Sequence, residues 1–192
     1  MKVTVRYATA CCIAAFAALW LVSEASAIGG NYALRGGTNA ERRLVVSALD
    51  ASSFDWSVVR ERVTIHIARG IASHATRGDV WLDSGLLDAG TFAMGIVQHE
   101  YAHQVDFFLF DDAIRTELLR QLGGTDWCYS VADLPHAAYG CERFASTLAW
   151  TYWPSAENCL KPTSMDDESG AMRPSRFKAL MRSILRQVDA RR

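Results

Sequence analysis

Apolar positions first take on a regular spacing just after a glycine-rich segment. Glycine pairs at 29–30 and 36–37 indicate a flexible lead. Thr38 and Glu41 then have the spacing of a capping box, in which each side chain accepts a hydrogen bond from the other residue's backbone N–H. Apolar residues follow between 44 and 49, so the pattern predicts a first helix of about three turns.

Alternation of apolar and polar residues then predicts two strands. It runs through residues 63–67 and again through 80–83. Residues 69–74 between them are expected as an edge strand, whose free N–H and C=O groups would pair with an extended peptide. His66 and His74 lie in this region, and we expect both to be structural or surface residues, not metal ligands.

The second half of the chain is predicted to form four helices. Residues 97–104 lie inside an apolar run that is long enough for a buried central helix. A polar helix follows over 111–120. Residues 139–150 indicate a second largely buried helix, and Pro174 opens a last helix with one apolar stripe. We therefore expect an α+β fold: a small mixed β-sheet packed on the central helix, then a glutamate-bearing helix and a C-terminal amphipathic helix.

The first 27 residues have the organisation of a secretory signal peptide. Basic residues precede an Ala-rich apolar stretch at 8–22, and small residues at 25–27 end the segment. The stretch is shorter than the roughly 20 residues that a membrane helix needs, so cleavage is favoured over retention as a membrane anchor. We expect a secreted or extracytoplasmic protein whose mature chain, residues 28–192, is a single domain without a stable membrane span.

The charge balance gives no support for nucleic-acid binding. The whole chain has 20 Lys and Arg and 21 Asp and Glu, of which two basic residues and one acidic residue fall in residues 1–27. The mature chain therefore carries 18 basic and 20 acidic residues, a formal net charge of −2. Binding to a phosphate backbone usually requires a marked basic excess, which is missing here.

Three of the five cysteines lie beyond residue 27, at positions 128, 141 and 159. An odd number in an exported protein predicts one disulfide and one free thiol. The short separation favours a bond between Cys128 and Cys141 that leaves Cys159 free, and Cys141 with Cys159 is the competing pair. The favoured loop would stabilise the fold by about 3 kcal/mol in the chain-entropy treatment.

The strongest chemical signal lies inside the predicted central helix, where residues 99–103 match the pattern HExxH. Residues four apart lie on one face of a helix, so His99 and His103 can both bind one Zn²⁺ at about 2.0–2.1 Å. Glu100 flanks that face, in the position of a general base. The bland alternative is a pair of core histidines satisfied by hydrogen bonds, and the motif favours the zinc site.

A catalytic zinc ion needs a third protein ligand and an open position for water. We favour Glu142, because a carboxylate at the start of a buried helix needs a partner or a metal. Asp106, Asp126 and His136 are the alternatives. Asp106 lies about 4.5 Å further along the helix than His103, which suits a role in orienting an imidazole better than direct ligation.

These residues resemble the gluzincin, or thermolysin-like, branch of the zincin metallopeptidases, in which a helix with HExxH is followed by a helix that supplies a glutamate. The resemblance covers residues 64–153. It rests mainly on the motif at 99–103, and the sequence Glu142-Arg143-Phe144-Ala145 is a weaker second motif. The chain departs from the family by having little sequence after the glutamate helix to form a lower subdomain.

The resemblance implies zinc-dependent hydrolysis of a peptide or protein substrate. Glu100 would take the proton of a zinc-activated water that attacks the carbonyl, with Tyr139 and His136 as candidate donors to the oxyanion. The alternative is a non-catalytic binding or structural module in which zinc joins the helices. Glu100 argues against that alternative, because a structural site needs four ligands and no base.

Overall fold

A computed structural model describes residues 29–192, which form six α-helices and a four-stranded mixed sheet. The predicted α+β class is confirmed. The elements in chain order are β1 Tyr32–Gly36, α1 Asn39–Ala51, β2 Val63–Ala68, β3 His74–Thr76, β4 Asp79–Asp83, α2 Ser84–Leu87, α3 Met94–Leu109, α4 Asp112–Leu122, α5 Gly140–Tyr152 and α6 Pro174–Arg191. The predicted signal segment, residues 1–27, lies outside the described residues. Among residues 29–192, no helix combines the length and the apolar character needed to cross a bilayer.

The sheet has the order β1-β2-β4-β3, with β1, β2 and β4 parallel and β3 antiparallel at one edge. The sequence does not predict β1, because the strand lies between the two glycine pairs that indicate a flexible lead. Tyr32, Ala33 and Leu34 are buried and pair with residues 63–65 of β2. A partner distant in sequence therefore gives this segment its strand conformation.

The edge strand occupies residues 74–76 and not the predicted range 69–74. Gly70 has a φ of 75°, and its N–H donates a hydrogen bond to the Asp83 carboxylate, so the chain turns before the strand begins. β3 pairs with β4 on one side only. Within residues 29–192 no strand pairs with its other side, which is therefore an open sheet edge.

The predicted capping box is present at the start of α1. The Glu41 N–H donates to the Thr38 hydroxyl at 3.3 Å, and the Thr38 N–H donates to the Glu41 carboxylate at 2.6 Å. Val45, Ala48 and Leu49 then face the core at helical spacing. The box fixes where the helix starts, and these three residues fix which face is buried.

α3 is buried along most of its length and is tied to two neighbours by amide side chains. Gln98 donates to the Ala48 carbonyl of α1 at 2.7 Å. Gln104 accepts from the Gly78 N–H at 2.8 Å and donates to the Thr76 carbonyl at 2.8 Å, which holds the turn between β3 and β4. The helix that carries the HExxH motif is thereby fixed against both α1 and the sheet edge.

α5 packs beside α3, and α6 covers the opposite side of α5. The segment after α5 lies close against α3 at Gly95. A Cβ added there would meet the side-chain amide oxygen of the buried Asn158 at 2.1 Å, so the contact requires glycine. Phe144 of α5 contacts Phe177 at 6.1 Å between ring centroids, and Met181 and Ile184 continue the buried stripe of α6. The predicted apolar face of the last helix therefore supports the helix that bears Glu142.

Candidate metal centre

One turn of α3 presents the three residues of the motif to a common cavity. His99, Glu100 and His103 are only 6–7% exposed, and the Nε2 atoms of the two histidines lie 3.3 Å apart. One acidic oxygen of Glu100 lies within 4.8 Å of a ring nitrogen on each histidine. This is the arrangement that the i, i+4 spacing predicts.

The first turn of α5 brings Glu142 to the two imidazoles. Its Oε2 lies 3.0 Å from His99 Nε2 and 3.4 Å from His103 Nε2. Ligand atoms of a tetrahedral zinc ion with bonds of 2.0–2.1 Å are separated by about 3.3–3.4 Å. The three atoms therefore have close to the separations that a single zinc ion would require, and the donor set of two imidazoles and one carboxylate suits that metal.

The electrostatics of the three donors also favour a cation between them. Burial alone would raise the pKa of Glu142, but hydrogen bonds from His103 and His99 outweigh it and hold that pKa far below its usual value of 4.5. Burial would lower the pKa of His103, and the Glu142 carboxylate raises it above 6.5. Three electron-pair donors that converge in a buried site need either protons or a metal ion to hold them together.

A buried serine sets the orientation of His99. Ser146 lies one helical turn after Glu142, and its hydroxyl donates to the Glu168 carboxylate at 3.0 Å. The same hydroxyl lies 3.0 Å from His99 Nδ1 and can accept a proton from it, since its own proton is used. Neutral His99 then carries its proton on Nδ1 and presents the Nε2 lone pair to the centre, the form that metal ligation requires.

Asp106 and Asp126 are engaged elsewhere. Asp106 accepts hydrogen bonds from Arg115 Nε at 2.8 Å and Trp127 Nε1 at 3.0 Å, so its carboxylate anchors α4 and the loop after it. The role that the sequence suggests for Asp106, orienting an imidazole, is performed for His99 by Ser146. Asp126 accepts from the backbone N–H of Ser130 at 2.8 Å and shapes the same loop.

His136 lies at the rim of the centre. Its Nε2 is 3.3 Å from Glu142 Oε2, and its Nδ1 is 2.6 Å from Glu168 Oε1. The hydrogen bond to Glu168 raises the pKa of His136, against the effect of partial burial. Its side chain is 56% exposed, so the imidazole faces both the centre and the solvent.

The structure does not bring Tyr139 to the centre. Tyr139 is buried, and its hydroxyl donates to the Val131 carbonyl at 2.7 Å, which is a scaffold contact. Tyr129 lies beside the candidate ligands instead, with its hydroxyl donating to Glu142 Oε1 at 3.0 Å. The sequence offered one signal for it, because a disulfide between Cys128 and Cys141 places the residue after one cysteine near the residue after the other.

Cys128 and Cys141 form a disulfide in the structure, with their Cα atoms 5.4 Å apart, and Cys159 is a free thiol. The Cys141 sulfur lies within 4.8 Å of ligand atoms of His103 and Glu142. Because that sulfur is bonded to Cys128, it is not a thiolate and is not counted as a ligand. The disulfide instead fixes the loop at 128–131 to the start of α5.

The centre opens into a cavity of about 540 Å³. It is lined by Ser73, His74, Ala75, Ile96, His99, Glu100, His103, Phe107, Cys128, Tyr129, His136, Glu142, Ser146, Leu160 and Glu168. Burial raises the pKa of Glu100, although the two adjacent histidines act in the opposite direction. Within residues 29–192 its carboxylate accepts no hydrogen bond, so it is available to a molecule in the cavity.

Comparison of the chain with protein-family models, curated proteins and solved structures found no match.

His66 and His74 do not join His99 and His103. They stack on either side of Trp81, with ring centroids 5.1 and 4.6 Å from the indole, and His66 also bonds Asp79 at 2.7 Å. His74 borders the cavity from the edge strand. Ser146 could have been found from sequence by its i, i+4 relation to Glu142, whereas nothing in the sequence indicates that Glu168 reaches both Ser146 and His136.

Proposed function

We propose that this protein is a secreted zinc-dependent peptidase, similar in its chemistry to the gluzincins. The observation that carries the proposal is the convergence of His99, His103 and Glu142 atoms at 3.0–3.4 Å beside the unpaired carboxylate of Glu100 in an accessible cavity. Two helices that carry ligands without a neighbouring base would suit a purely structural metal. The free carboxylate is what favours hydrolysis.

A zinc ion bound by these three residues supplies a Lewis acid that acidifies a water molecule and polarises a carbonyl group. Glu100 is placed to accept the proton of the attacking water and to pass it to the leaving amine. Burial raises the pKa of Glu100 above that of an exposed glutamate and so brings that pKa closer to neutral pH. This suits a group that must both accept and release a proton.

His136 is placed to donate a hydrogen bond to the substrate. Its Nδ1 is held by Glu168, its Nε2 lies 3.3 Å from Glu142 Oε2, and its side chain lines the cavity. As an imidazolium it would stabilise the negative charge that develops on the carbonyl oxygen during attack. We therefore retain His136 as the candidate oxyanion donor and assign Tyr139 to the scaffold.

The open edge of β3 supplies a binding surface for an extended peptide. His74 and Ala75 line the cavity beside Glu100, and the side of β3 that does not pair with β4 is free within residues 29–192. A substrate strand that hydrogen-bonds to this edge would lie along the cavity and bring one peptide bond to the centre. Export to an oxidising compartment, expected from residues 1–27, fits a chain that closes a disulfide.

The proposal is tested by Glu100→Gln. The amide keeps the size of the side chain but cannot accept a proton at neutral pH, so cleavage of a denatured protein should fall by at least about 100-fold. Zinc content, measured by mass spectrometry, and melting temperature should match those of the parent protein. Retained proteolysis in this variant would refute the mechanism, and a parent protein without zinc would refute the metal centre.

One observation favours a second candidate function, a non-catalytic module in which zinc only joins the helices. His136 Nε2 lies 3.3 Å from Glu142 Oε2, so a small shift of this side chain would supply a fourth ligand and close the site. The variant His136→Ala separates the two functions. A zinc affinity unchanged within a few-fold, with a lower kcat, supports the donor role, whereas a large loss of zinc affinity supports a closed structural site.

A further inference from the structure

Tyr129 combines an unusual backbone conformation with a contact to a metal ligand. Its φ is 56°, in the left-handed region that a bulky residue rarely adopts. Its side chain is largely exposed, so burial of the ring does not account for this conformation. The hydroxyl donates to Glu142 Oε1 at 3.0 Å, which points to a role at the centre.

Three contacts deliver Tyr129 to Glu142. The disulfide joins Cys128 to Cys141, the residues directly before Tyr129 and Glu142. The Cys141 N–H donates to the Trp127 carbonyl at 2.8 Å, so the loop runs alongside the first turn of α5. The Tyr129 ring also packs on the buried Tyr139 ring, with centroids 4.1 Å apart. The disulfide and the Tyr139 ring therefore fix the position of the Tyr129 hydroxyl, although the Tyr129 ring is largely exposed to solvent.

The two oxygens of Glu142 have different partners. Oε1 accepts the Tyr129 hydroxyl, and Oε2 alone faces the nitrogens of His99 and His103. The hydrogen bond to Oε1 competes with metal binding by that oxygen, so it favours ligation through Oε2 alone. A zinc ion bound through Oε2 alone would keep one coordination position for a water molecule, which a second carboxylate oxygen would otherwise occupy.

We propose that Tyr129 is a positioning residue that keeps Glu142 a single-oxygen ligand, and that the Cys128–Cys141 disulfide acts on the metal centre by placing Tyr129. This inference rests on the proposed zinc centre. It adds that the affinity and coordination number of the metal are set by a hydroxyl outside the ligand set.

The test is Tyr129→Phe, which removes one hydroxyl from an exposed side chain. Zinc affinity, measured by competition with a chromophoric chelator, should weaken by about 10- to 100-fold, as for other contacts that orient metal ligands. The metal-free variant should remain folded, with a melting temperature lowered by a few degrees at most, because the buried Glu142 carboxylate loses one hydrogen-bond donor. Tyr152→Phe is the matched control, because it removes a hydroxyl from the far end of α5, about 15 Å from Glu142 along the helix axis. It should leave zinc affinity unchanged.

Cobalt substitution gives a readout that a merely structural role would not move. With Oε1 released, Glu142 should bind through both oxygens, and the visible absorption of bound Co²⁺ should weaken as the site changes from four to five ligands. A Tyr129→Phe variant with parental zinc affinity and parental cobalt spectrum would overturn the inference. If the parent protein binds no zinc at all, the proposed function fails as well, so the two failures are distinguishable.

The disulfide is tested by the pair Cys128→Ala and Cys141→Ala, introduced with and without Tyr129→Phe. If the disulfide acts through Tyr129, its removal weakens zinc binding in the parent but adds little in the Phe variant. Independent, additive losses would show that the disulfide supports the centre by another route, and would overturn that part of the proposal.

Discussion

Asp106 and Glu142 show how the partners of a buried carboxylate decide its chemistry. Both are nearly inaccessible to solvent. Asp106 bonds Arg115, whose guanidinium keeps its charge at any ordinary pH, and the Trp127 N–H, so its charge is permanently compensated. Glu142 instead faces two imidazoles, whose ring nitrogens can hold either a proton or a metal ion. Only Glu142 therefore has a position that a metal ion would complete.

Substitution of these two carboxylates should separate metal binding from stability. Glu142→Ala removes one of the three proposed ligands and should weaken zinc affinity by more than about 100-fold, beyond the range for contacts that only orient ligands. Asp106→Asn removes the buried carboxylate that pairs with Arg115 and should lower the free energy of unfolding by about 1–3 kcal/mol. Zinc titration and urea unfolding of both variants measure the two effects. A larger zinc defect in Asp106→Asn would move the third ligand away from Glu142.

α3 has two functions at the scale of secondary structure. Its histidines and Glu100 face the cavity, while Gln98 and Gln104 connect it to α1 and to the sheet edge. The position of β3 relative to Glu100 therefore depends on the hydrogen bonds of Gln104, which belongs to the same helix, α3, as Glu100. A substrate strand docked on β3 would be placed at the metal by this connection.

Gln104→Ala should loosen the sheet edge. It removes hydrogen bonds to the Gly78 N–H and to the carbonyls of Thr76 and Asp79, and should lower the free energy of unfolding by about 1–3 kcal/mol. Hydrogen exchange of the Gly78 amide should accelerate more than that of the core. Gln121→Ala is the control, since Gln121 bonds Glu117 of α4 and Arg176 of α6 and has no hydrogen bond to the sheet. Its loss should cost less than about 1 kcal/mol and leave the exchange of the Gly78 amide unchanged. Equal effects of the two variants would contradict the role of Gln104.

At the scale of the whole molecule, the centre joins α3 to α5, and the sign of its pH dependence differs between the metal-free and zinc-bound forms. In the metal-free form the raised pKa of His103 stabilises the fold fully below pH 6.5, and this contribution is lost as pH rises through the raised value. The lowered pKa of Glu142 stabilises the fold above pH 4.5, and that contribution is lost in acid. Zinc requires deprotonated imidazoles and therefore binds more tightly as pH rises.

The increase in melting temperature on adding zinc should therefore grow as pH rises above 6.5, because the raised pKa of His103 keeps its imidazole protonated beyond the ordinary value and zinc must displace that proton. Chelation at pH 7.5 should lower the melting temperature, and added zinc should restore it. Differential scanning calorimetry at a fixed free-zinc concentration measures both effects. A zinc increment that is independent of pH would show that the histidines are not the ligands.

The sequence by itself determined the features that depend on residues close together in the chain. The capping box of Thr38 and Glu41 and the apolar stripe of α6 follow from three- and four-residue spacing, which the geometry of one helix fixes. The same geometry places His99, Glu100 and His103 together at one cavity. The family resemblance and the choice of Glu142 as third ligand went beyond this spacing, and they stay predictions until metal is measured.

Only the tertiary structure decided which distant segments meet. β1 is a strand because residues 63–67 pair with it, and no pattern within Tyr32–Gly36 reveals that partner. Tyr129 replaces Tyr139 beside Glu142 because a disulfide and a left-handed turn aim one ring at the centre and leave the other in the scaffold. Glu168 reaches Ser146 and His136 by a similar long-range approach. Such contacts depend on how whole elements pack, and local spacing carries no information about that packing.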